Sequence, residues 1–307
     1  MIRPLQPFDL VRYSILGHRG TGNRAFTLDN LGRGIPDRVS ATTLPTLSLW
    51  LMTRPVQAVA STAGRQVEAI GAARPRSGPR TWEVSHLLFG QGDRDRSRLL
   101  TVLAQQIARQ GGERLFIRLQ NDDPLIDDVL ANGFLPCYRE MLYRTRKQGR
   151  AIGPAPRKYA DADEFAVYQL YTASTPMETR LSTGVTFDQW AMARERSGGR
   201  GREYVVDGVS GLKGWLKTIC RLRSSTATLM VREDDESTAP GLIDFAMASL
   251  PSFADVLWLV SEHQYDIHRV FHRRGIDVDS EYVTLVKSMV TPAMDKEIRK
   301  ALPITPA

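Results

Sequence analysis

The sequence predicts an α/β chain made of two tandem domains, each a mixed and mostly antiparallel sheet flanked by helices. Three observations carry this prediction. Residues 81–144 alternate between strand and helix patterns, and the second half of the chain repeats the whole order of the first more loosely. Between the halves lies a stretch rich in Pro, Gly and basic residues, without hydrophobic periodicity. We therefore expect domains at 1–146 and 158–307, joined by a linker at 147–157.

The centre of the first half shows the clearest local patterns. Its predicted elements are a strand at 81–89, a helix that ends at Gly111-Gly112, an alternating strand at 114–120, a short helix between Pro124 and Gly133, and a strand at 137–144. Apolar residues at helical spacing and a glycine pair at the C-terminal cap indicate the first helix. Strand, helix and second strand form a βαβ-like unit, so we expect a ligand site beside the strand ends and a helix N-terminus.

The remaining segments complete both halves. In the first half we expect a strand and helix over 1–16, a loop over 17–38, a short helix or strand at 42–52, and two strands that turn at Ala63-Gly64. In the second half we expect helices near 165–171 and 185–196, three strands between 202 and 233, a helix within 235–250, a strand at 254–262, a helix that ends at Gly275, and a strand at 281–290.

This order resembles the core of the GNAT superfamily of acetyltransferases. In that family a Q/R-x-x-G-x-G/A loop holds the pyrophosphate of acetyl-CoA, because glycine lets the bare backbone approach phosphate at a helix N-terminus. Gln91 fits the first position of this motif, whereas Arg94 and Arg96 replace its Gly and Gly/Ala. Asn121 matches the family's Asn after the fifth strand, and Gly133-Phe134 matches its "GF" pair.

The resemblance implies an acetyl-CoA-dependent N-acyltransferase that acts on a primary amine, with acetyl-CoA as co-substrate and no metal. It places the cofactor in the first domain, at Leu88, Phe89, Gln91, Gly92, Asp93, Arg94, Asp95, Arg96, Ser97 and Asn121. Val129 and Phe271 stand where the family's general-acid Tyr is expected in the two halves. The alternative is therefore a catalytically inactive GNAT-fold protein that binds another ligand or a partner.

Two residues are the catalytic candidates. Glu83, on the fourth strand, lies where family members often place a carboxylate base, and Tyr138, on the final strand of the first half, could replace the missing Tyr as acid, as could Tyr143. In a regular strand His86 would face the side opposite to Glu83. Each has a structural alternative, as a solvent-facing or packing residue of a strand.

The charges beside the expected phosphate loops allow two interpretations. Arg94, Arg96 and Arg98 could contact CoA phosphates, or they could pair with Asp93 and Asp95 on a solvated helix start. In the second half the corresponding loop carries the acidic run 233–236, which would repel a pyrophosphate. We therefore expect a structural role for the second domain.

Composition limits the classes of partner. The first 150 residues carry 22 bases against 13 acids and the rest 19 against 21, so the basic excess belongs to the first half. Its arginines are scattered, which indicates a solvated surface more than nucleic-acid binding. We expect a cytoplasmic monomer or homodimer that takes a small-molecule or peptide amine, without a membrane segment. Cys137 and Cys220 have no metal spacing, and His263, His268 and His272 are expected on a helix surface without zinc.

Overall fold

The computed structural model describes residues 1–16, 22–32, 56–64, 66–90, 96–146, 155–198, 200–221, 224–232, 237–251 and 255–289. The strands are β1 (Ile2–Pro4), β2 (Gln57–Ala63), β3 (Gln66–Pro75), β4 (Thr81–Phe89), β5 (Arg114–Gln120), β6 (Leu135–Thr145), β7 (Arg157–Lys158), β8 (Arg200–Gly208), β9 (Gly211–Cys220), β10 (Ser224–Val231), β11 (Asp255–Ser261) and β12 (Val278–Ser288). The helices are α1 (Pro7–Leu16), α2 (Arg96–Arg109), α3 (Leu125–Ala131), α4 (Glu164–Ser174), α5 (Met177–Thr183), α6 (Phe187–Ala193), α7 (Thr238–Ser249) and α8 (Tyr265–Arg273). The predicted α/β class and the repeated order are confirmed, while 42–52 lies outside these ranges. None of the described helices is long and apolar enough to cross a membrane.

All twelve strands join one sheet, in the order β1-β2-β3-β4-β5-β12-β6-β11-β10-β9-β8-β7. The last strand, β12, lies between β5 and β6 and is antiparallel to both. In turn β6 lies between β12 and β11. Each half therefore contributes one strand to the other, and neither completes its sheet alone. The domain boundaries at 146 and 158 stay a prediction.

Helices of each half cover one face of this sheet, each half over its own hydrophobic cluster. Leu99, Leu103 and Ile107 of α2 are completely buried against β2–β5, as the helical spacing predicts. In the second half α7 and α8 bury Leu242 and Phe271 in the same way. Full burial of one such side chain contributes about 2 kcal/mol, so these two layers fix the helices on the sheet.

A β-bulge in β4 changes the direction of its side chains. Ala73 lies opposite Val84 and Ala72 opposite His86, so Ser85 is an extra residue in the strand. Trp82 and Val84 before the bulge, and Leu87 and Phe89 after it, all face the α2 core. Glu83 and His86 consequently share the other face. The prediction that they face opposite sides is wrong, because it assumed regular alternation.

Two irregular segments pack against the other face of the sheet. Phe26, Leu28 and Leu31 of the first half contact Leu257 and Leu259 of β11. Residues 193–198, the last residue of α6 and the segment after it, contact β3, β5 and Arg76 of the first half. The two halves therefore cover one another on this face, beside the shared strands.

Candidate functional site

The first place where a ligand could enter is the end of the parallel pairing between β4 and β5. That pairing stops at Glu83 and Phe116, and the space beyond is called the first gap. Residues 23–26 lie in it. Arg24 donates its backbone N–H to the Leu87 carbonyl oxygen on β4 (3.0 Å). Phe26 donates its backbone N–H to the Arg118 carbonyl oxygen on β5 (2.9 Å). The chain's own backbone thus fills the first gap.

The side chain of Asn23 fixes this segment. Its Nδ2 donates to the carbonyl oxygen of Ser85 (2.9 Å), and its Oδ1 accepts from the Leu87 N–H (2.8 Å). The neighbouring Arg24 binds Asp123 through an Nη1–Oδ1 contact of 2.5 Å. An acyl-CoA held by the same backbone groups would have to displace the segment. The described residues of the first gap therefore do not fit this cofactor.

Most of the predicted cofactor-binding residues lie around the first gap or outside the described chain. Gln91, Gly92, Asp93, Arg94 and Asp95 are outside the described residues. Leu88 packs in a small core with Leu10 and Tyr13, while Phe89 belongs to the core under α2. Both are buried side chains. Their role in cofactor binding stays a prediction.

The three remaining predicted contacts lie on α2 and after β5. The guanidinium carbon of Arg96 is 5.4 Å from the centre of the Phe89 ring. Ser97 Oγ accepts from Asn132 Nδ2 at 2.8 Å, which ties α2 to the end of α3. Asn121 is half-buried, and its Nδ2 donates to Glu281 Oε2 at 3.3 Å. These residues do not converge on a pocket in the described part of the chain.

Glu83, the predicted base, lies in a buried ion-pair cluster. Its Oε1 accepts from Arg74 Nε at 2.6 Å and its Oε2 accepts from Arg76 Nε at 3.1 Å. Arg74 also binds Asp29 at 2.5 Å. Both carboxylate oxygens therefore bind cations, but burial and the nearby Glu195 outweigh them and raise the pKa of Glu83 above its ordinary value. Its role as base stays a prediction.

The segment after α6 supplies further partners to the same cluster. Arg76 Nη1 donates to the carbonyl oxygen of Ala193 (3.1 Å), and Ser77 Oγ donates to that of Arg194 (2.8 Å). Glu195 binds Arg118 through two contacts of 2.8 and 3.1 Å. The second half thus closes the face of the first half on which Glu83 lies.

A cavity of about 220 Å³ lies beside this cluster, on the face of the sheet opposite α7 and α8, and is called the central cavity. Thr228 and Leu259, the last residues that pair β10 with β11, form part of its wall, and Met230 lies just beyond them. The wall also includes Arg76, Arg118, Tyr138, Glu140, Tyr171, Trp190, Arg194, Glu195, Trp215 and Lys217. The cavity therefore lies where two parallel strands of the second half separate, a usual position for ligands in α/β proteins.

The sequence patterns placed the site in the first half, so they did not predict the wall residues that the second half supplies. The repeat itself could have indicated them, because it makes β10 and β11 the counterparts of β4 and β5. Only Tyr138, of the two predicted catalytic residues, lines the cavity. Strand exchange carries it there on β6.

Burial raises the pKa of the Tyr138 hydroxyl, and nearby Glu140 raises it further, against the opposing effect of Arg76 and Arg118. The phenol is therefore protonated at neutral pH. None of the hydrogen bonds between described residues involves its hydroxyl. Its position in the cavity wall would let it donate a proton to a group there, although the raised pKa makes it a weaker acid than an ordinary tyrosine. Its catalytic role stays a prediction.

Carboxylates of the cavity wall are bound to Arg118. Its Nε donates to Glu140 Oε2 at 2.6 Å, and Glu195 takes two further donors. Burial alone would raise the pKa of Glu195, but Arg118 and Arg76 lower it to about 2. Glu195 is therefore a poor proton acceptor near neutral pH.

The space beyond Thr228 and Leu259, where the pairing of β10 with β11 ends, is called the second gap. The side chain of Gln264 crosses it. Gln264 Oε1 accepts from the Val231 N–H (3.0 Å), and its Nε2 donates to the Ser174 carbonyl oxygen (3.1 Å). The Gln264 side chain could leave the second gap by rotation, whereas the backbone of residues 23–26 would have to move as a whole to open the first gap. Helix α7 begins beside this gap with small residues, Ser237 to Ala239, whereas α2 begins with Arg96. Among the described residues, a ligand that takes the Val231 N–H would therefore have to displace only the Gln264 side chain. The acidic run 233–236 lies outside the described residues.

The histidines of the second half are partly structural. The His268 ring contacts the Tyr143 hydroxyl at 2.7 Å and the Ser261 carbonyl oxygen at 2.9 Å. His263 is buried and His272 exposed. A surface position is thus wrong for His263, which is buried, whereas His268 is half-buried because β6 brings Tyr143 under α8. In the described part of the chain no group of His, Cys, Asp and Glu could hold a metal ion, and both cysteines are free thiols.

No protein-family model matches the sequence, and no curated protein matches it. Solved structures do match it over nearly the whole chain. A tandem GNAT protein from the clavulanic acid biosynthesis pathway is 13% identical, with a TM-score of 0.52 over 95% of this chain and 99% of that one. A GCN5-related N-acetyltransferase from Sphaerobacter thermophilus is 14% identical, with a TM-score of 0.54 over 94% and 95% of the two chains.

A protein from Pyrococcus horikoshii that is named only provisionally as an acetyltransferase is 10% identical, with a TM-score of 0.55 over 94% and 89% of the two chains. Identities this low show a common fold and not a common substrate. The chain therefore has the tandem GNAT fold.

Proposed function

We propose that this chain is an acetyl-CoA-dependent N-acyltransferase, and that the acceptor, a primary amine, binds in the central cavity. The position of that cavity carries the proposal, since it lies where β10 and β11 separate and has Tyr138 in its wall. Acetyltransferases among the structural neighbours support the proposal at the level of fold.

Different described residues would bind the cofactor and donate the proton. Acetyl-CoA, when bound, supplies an acyl group activated as a thioester. Val231 at the end of β10 and Ser237 to Ala239 at the start of α7 would hold it, after Gln264 releases the Val231 N–H. Tyr138 would hold the proton that the leaving sulfur takes up.

In this proposal the first half has a supporting role. It contributes Tyr138 through the exchanged strand β6, and its own gap is filled by residues 23–26. A cofactor site at residues 90–98 stays the competing prediction, because 91–95 lie outside the described residues. The small-molecule or peptide nature of the amine and the monomeric or homodimeric state also stay predictions.

A second candidate function is a non-catalytic ligand-binding protein of the same fold. Occupation of both gaps by the chain's own groups favours it, with Asn23 and its neighbours in the first gap and Gln264 in the second. In that case the central cavity would bind a ligand, but no acyl group would be transferred.

Calorimetric titration of acetyl-CoA into three matched proteins distinguishes these possibilities. Ser237→Asp adds a negative charge at the start of α7, and Ser97→Asp adds the same charge at the start of α2. Both serines are exposed, and acidic residues are favourable at helix N-termini, so both variants should remain folded. We expect one equivalent to bind wild-type protein and Ser237→Asp to weaken binding about fivefold, from ~1 kcal/mol of charge repulsion.

Each result has a distinct meaning. Weakening by Ser97→Asp alone would move the cofactor to the first half. Absence of binding to wild-type protein would refute the enzyme proposal. Binding without release of free thiol across a broad panel of amines would favour the ligand-binding candidate.

A further inference from the structure

The wall of the central cavity is rich in aromatic side chains. Tyr138, Tyr171, Trp190 and Trp215 all contribute to it, drawn from both halves of the chain. The cavity volume of about 220 Å³ exceeds that of an engineered cavity of about 150 Å³ that binds benzene in another protein. The space therefore suits one substituted aromatic ring, which such a wall would contact through offset or edge-to-face stacking.

The charges in this wall are neutralised within the protein. Arg118 binds both Glu140 and Glu195, which are the two carboxylates among the described wall residues. Arg76 binds Glu83 behind the wall at 3.1 Å. No unmatched charge from these groups faces the cavity, so a charged ligand would have to be desolvated without a new ion-pair partner.

The remaining two cations of the wall share one carboxylate. Arg194 Nη2 lies 2.6 Å from Glu203 Oε2, and Lys217 Nζ lies 3.6 Å from Glu203 Oε1. Arg194 has a second acidic neighbour in Glu164, at 3.6 Å. The wall thus has no excess negative charge with which to attract an ammonium group.

These features restrict the amine. An alkylamine is protonated at neutral pH, so it needs a base before its nitrogen can attack, and it prefers a site with negative charge. The described carboxylates of the wall are bound to Arg118, so they supply neither a free base nor an unpaired negative charge. An arylamine carries a free lone pair at neutral pH and needs neither of them.

We propose that the ligand class of the central cavity, and the acceptor of the transfer reaction, is a small arylamine. The acceptor part rests on the proposed function. In the reaction the arylamine nitrogen forms the C–N bond, the C–S bond breaks, and the sulfur takes the Tyr138 proton. The surplus proton on nitrogen then returns to the Tyr138 oxygen, so no oxidant or reductant is needed.

Two isomeric amines test the ligand class without acetyl-CoA. 4-Methylaniline and benzylamine have the same formula, but the first is neutral and the second protonated at neutral pH. Calorimetric titration should show 4-methylaniline binding about tenfold more tightly or better, the discrimination expected from desolvating an unpaired ammonium. Met230→Trp, which fills the cavity from β10, should abolish this binding. Val209→Trp, at a fully exposed position in the β8–β9 turn, should leave it unchanged.

The outcomes separate this inference from the proposed function. Equal or tighter binding of benzylamine, no binding of either isomer, or retained binding in Met230→Trp would overturn it. Thermal melts check that the variants fold, and Thr228→Met replaces Met230→Trp if that variant does not. If 4-methylaniline binds as expected but is not acetylated in the presence of acetyl-CoA, the ligand class stands and its role as the acceptor fails, while acetyl-CoA binding and the amine panel still decide the proposed function.

Discussion

Arg118 of β5 and Glu195 of the segment after α6 form a two-point ion pair between the halves, with contacts of 2.8 and 3.1 Å. The side chains are 3% and 11% exposed. Glu140 binds the same guanidinium from β6. One arginine therefore compensates two buried carboxylates, one from each half.

Replacement of Arg118 by Met should destabilise the protein strongly, because it leaves Glu140 and Glu195 buried without their cation. Loss of one partner from a buried ion pair costs about 3–5 kcal/mol, which urea unfolding would measure. Arg80→Met is the matched control, since Arg80 and Glu113 are 60% and 45% exposed and such pairs contribute about 0–1 kcal/mol. Similar losses in both variants would contradict the structural importance of Arg118.

The stability should fall as the pH drops from about 4.5 to about 2. Arg118 and Arg76 lower the pKa of Glu195 from its ordinary 4.5 to about 2 against the effect of burial, so its contribution is complete above 4.5 and lost below. Unfolding free energies measured by urea across this range should decline less steeply in Glu195→Gln than in wild-type protein. Parallel curves would show that Glu195 is not the titrating group.

Asn23→Ala should loosen the segment that fills the first gap. The substitution leaves the buried N–H of Leu87 and carbonyl oxygen of Ser85 without the side-chain partner, at a cost of about 1–3 kcal/mol. Amide hydrogen exchange at Leu87 should accelerate accordingly. Asn121→Ala, which removes only a long side-chain hydrogen bond of 3.3 Å to Glu281, is the control and should change neither measurement.

Tyr138→Phe should reduce turnover by about a hundredfold with little effect on the melting temperature, because a lost general acid typically costs this much. Tyr143→Phe should do the reverse. The Tyr143 hydroxyl lies outside the cavity and contacts the His268 ring at 2.7 Å. Its loss would therefore lower stability and leave turnover intact. Unchanged turnover in Tyr138→Phe would remove Tyr138 from the mechanism.

Local elements of this fold could be predicted because each has its own signal. The helix α2 follows from the spacing of Leu99, Leu103 and Ile107, and the turn between β2 and β3 follows from Gly64, which has a positive φ of 58°. The repeat of these elements indicated the tandem fold. These signals operate within about 30 residues, which is the range that periodicity and capping can cover.

Long-range features escaped prediction for physical reasons. The patterns of β6 and β12 are both those of half-buried strands, and nothing in either shows which half it joins. The extra residue Ser85 in β4 has no sequence signal of its own, although it reverses the direction of His86. Asn23 acts through hydrogen bonds to a strand some 60 residues away, in a segment without hydrophobic period.

The exchange of β6 and β12 constrains the time course of folding. During synthesis, β1–β6 emerge long before β12, yet β12 lies in the middle of the finished sheet, between β5 and β6. Until it arrives, β5 and β6 each expose an unpaired edge, which invites wrong pairing. Since pairings of such large sequence separation also slow folding, the insertion of residues 278–288 is expected to be the step that commits both halves together.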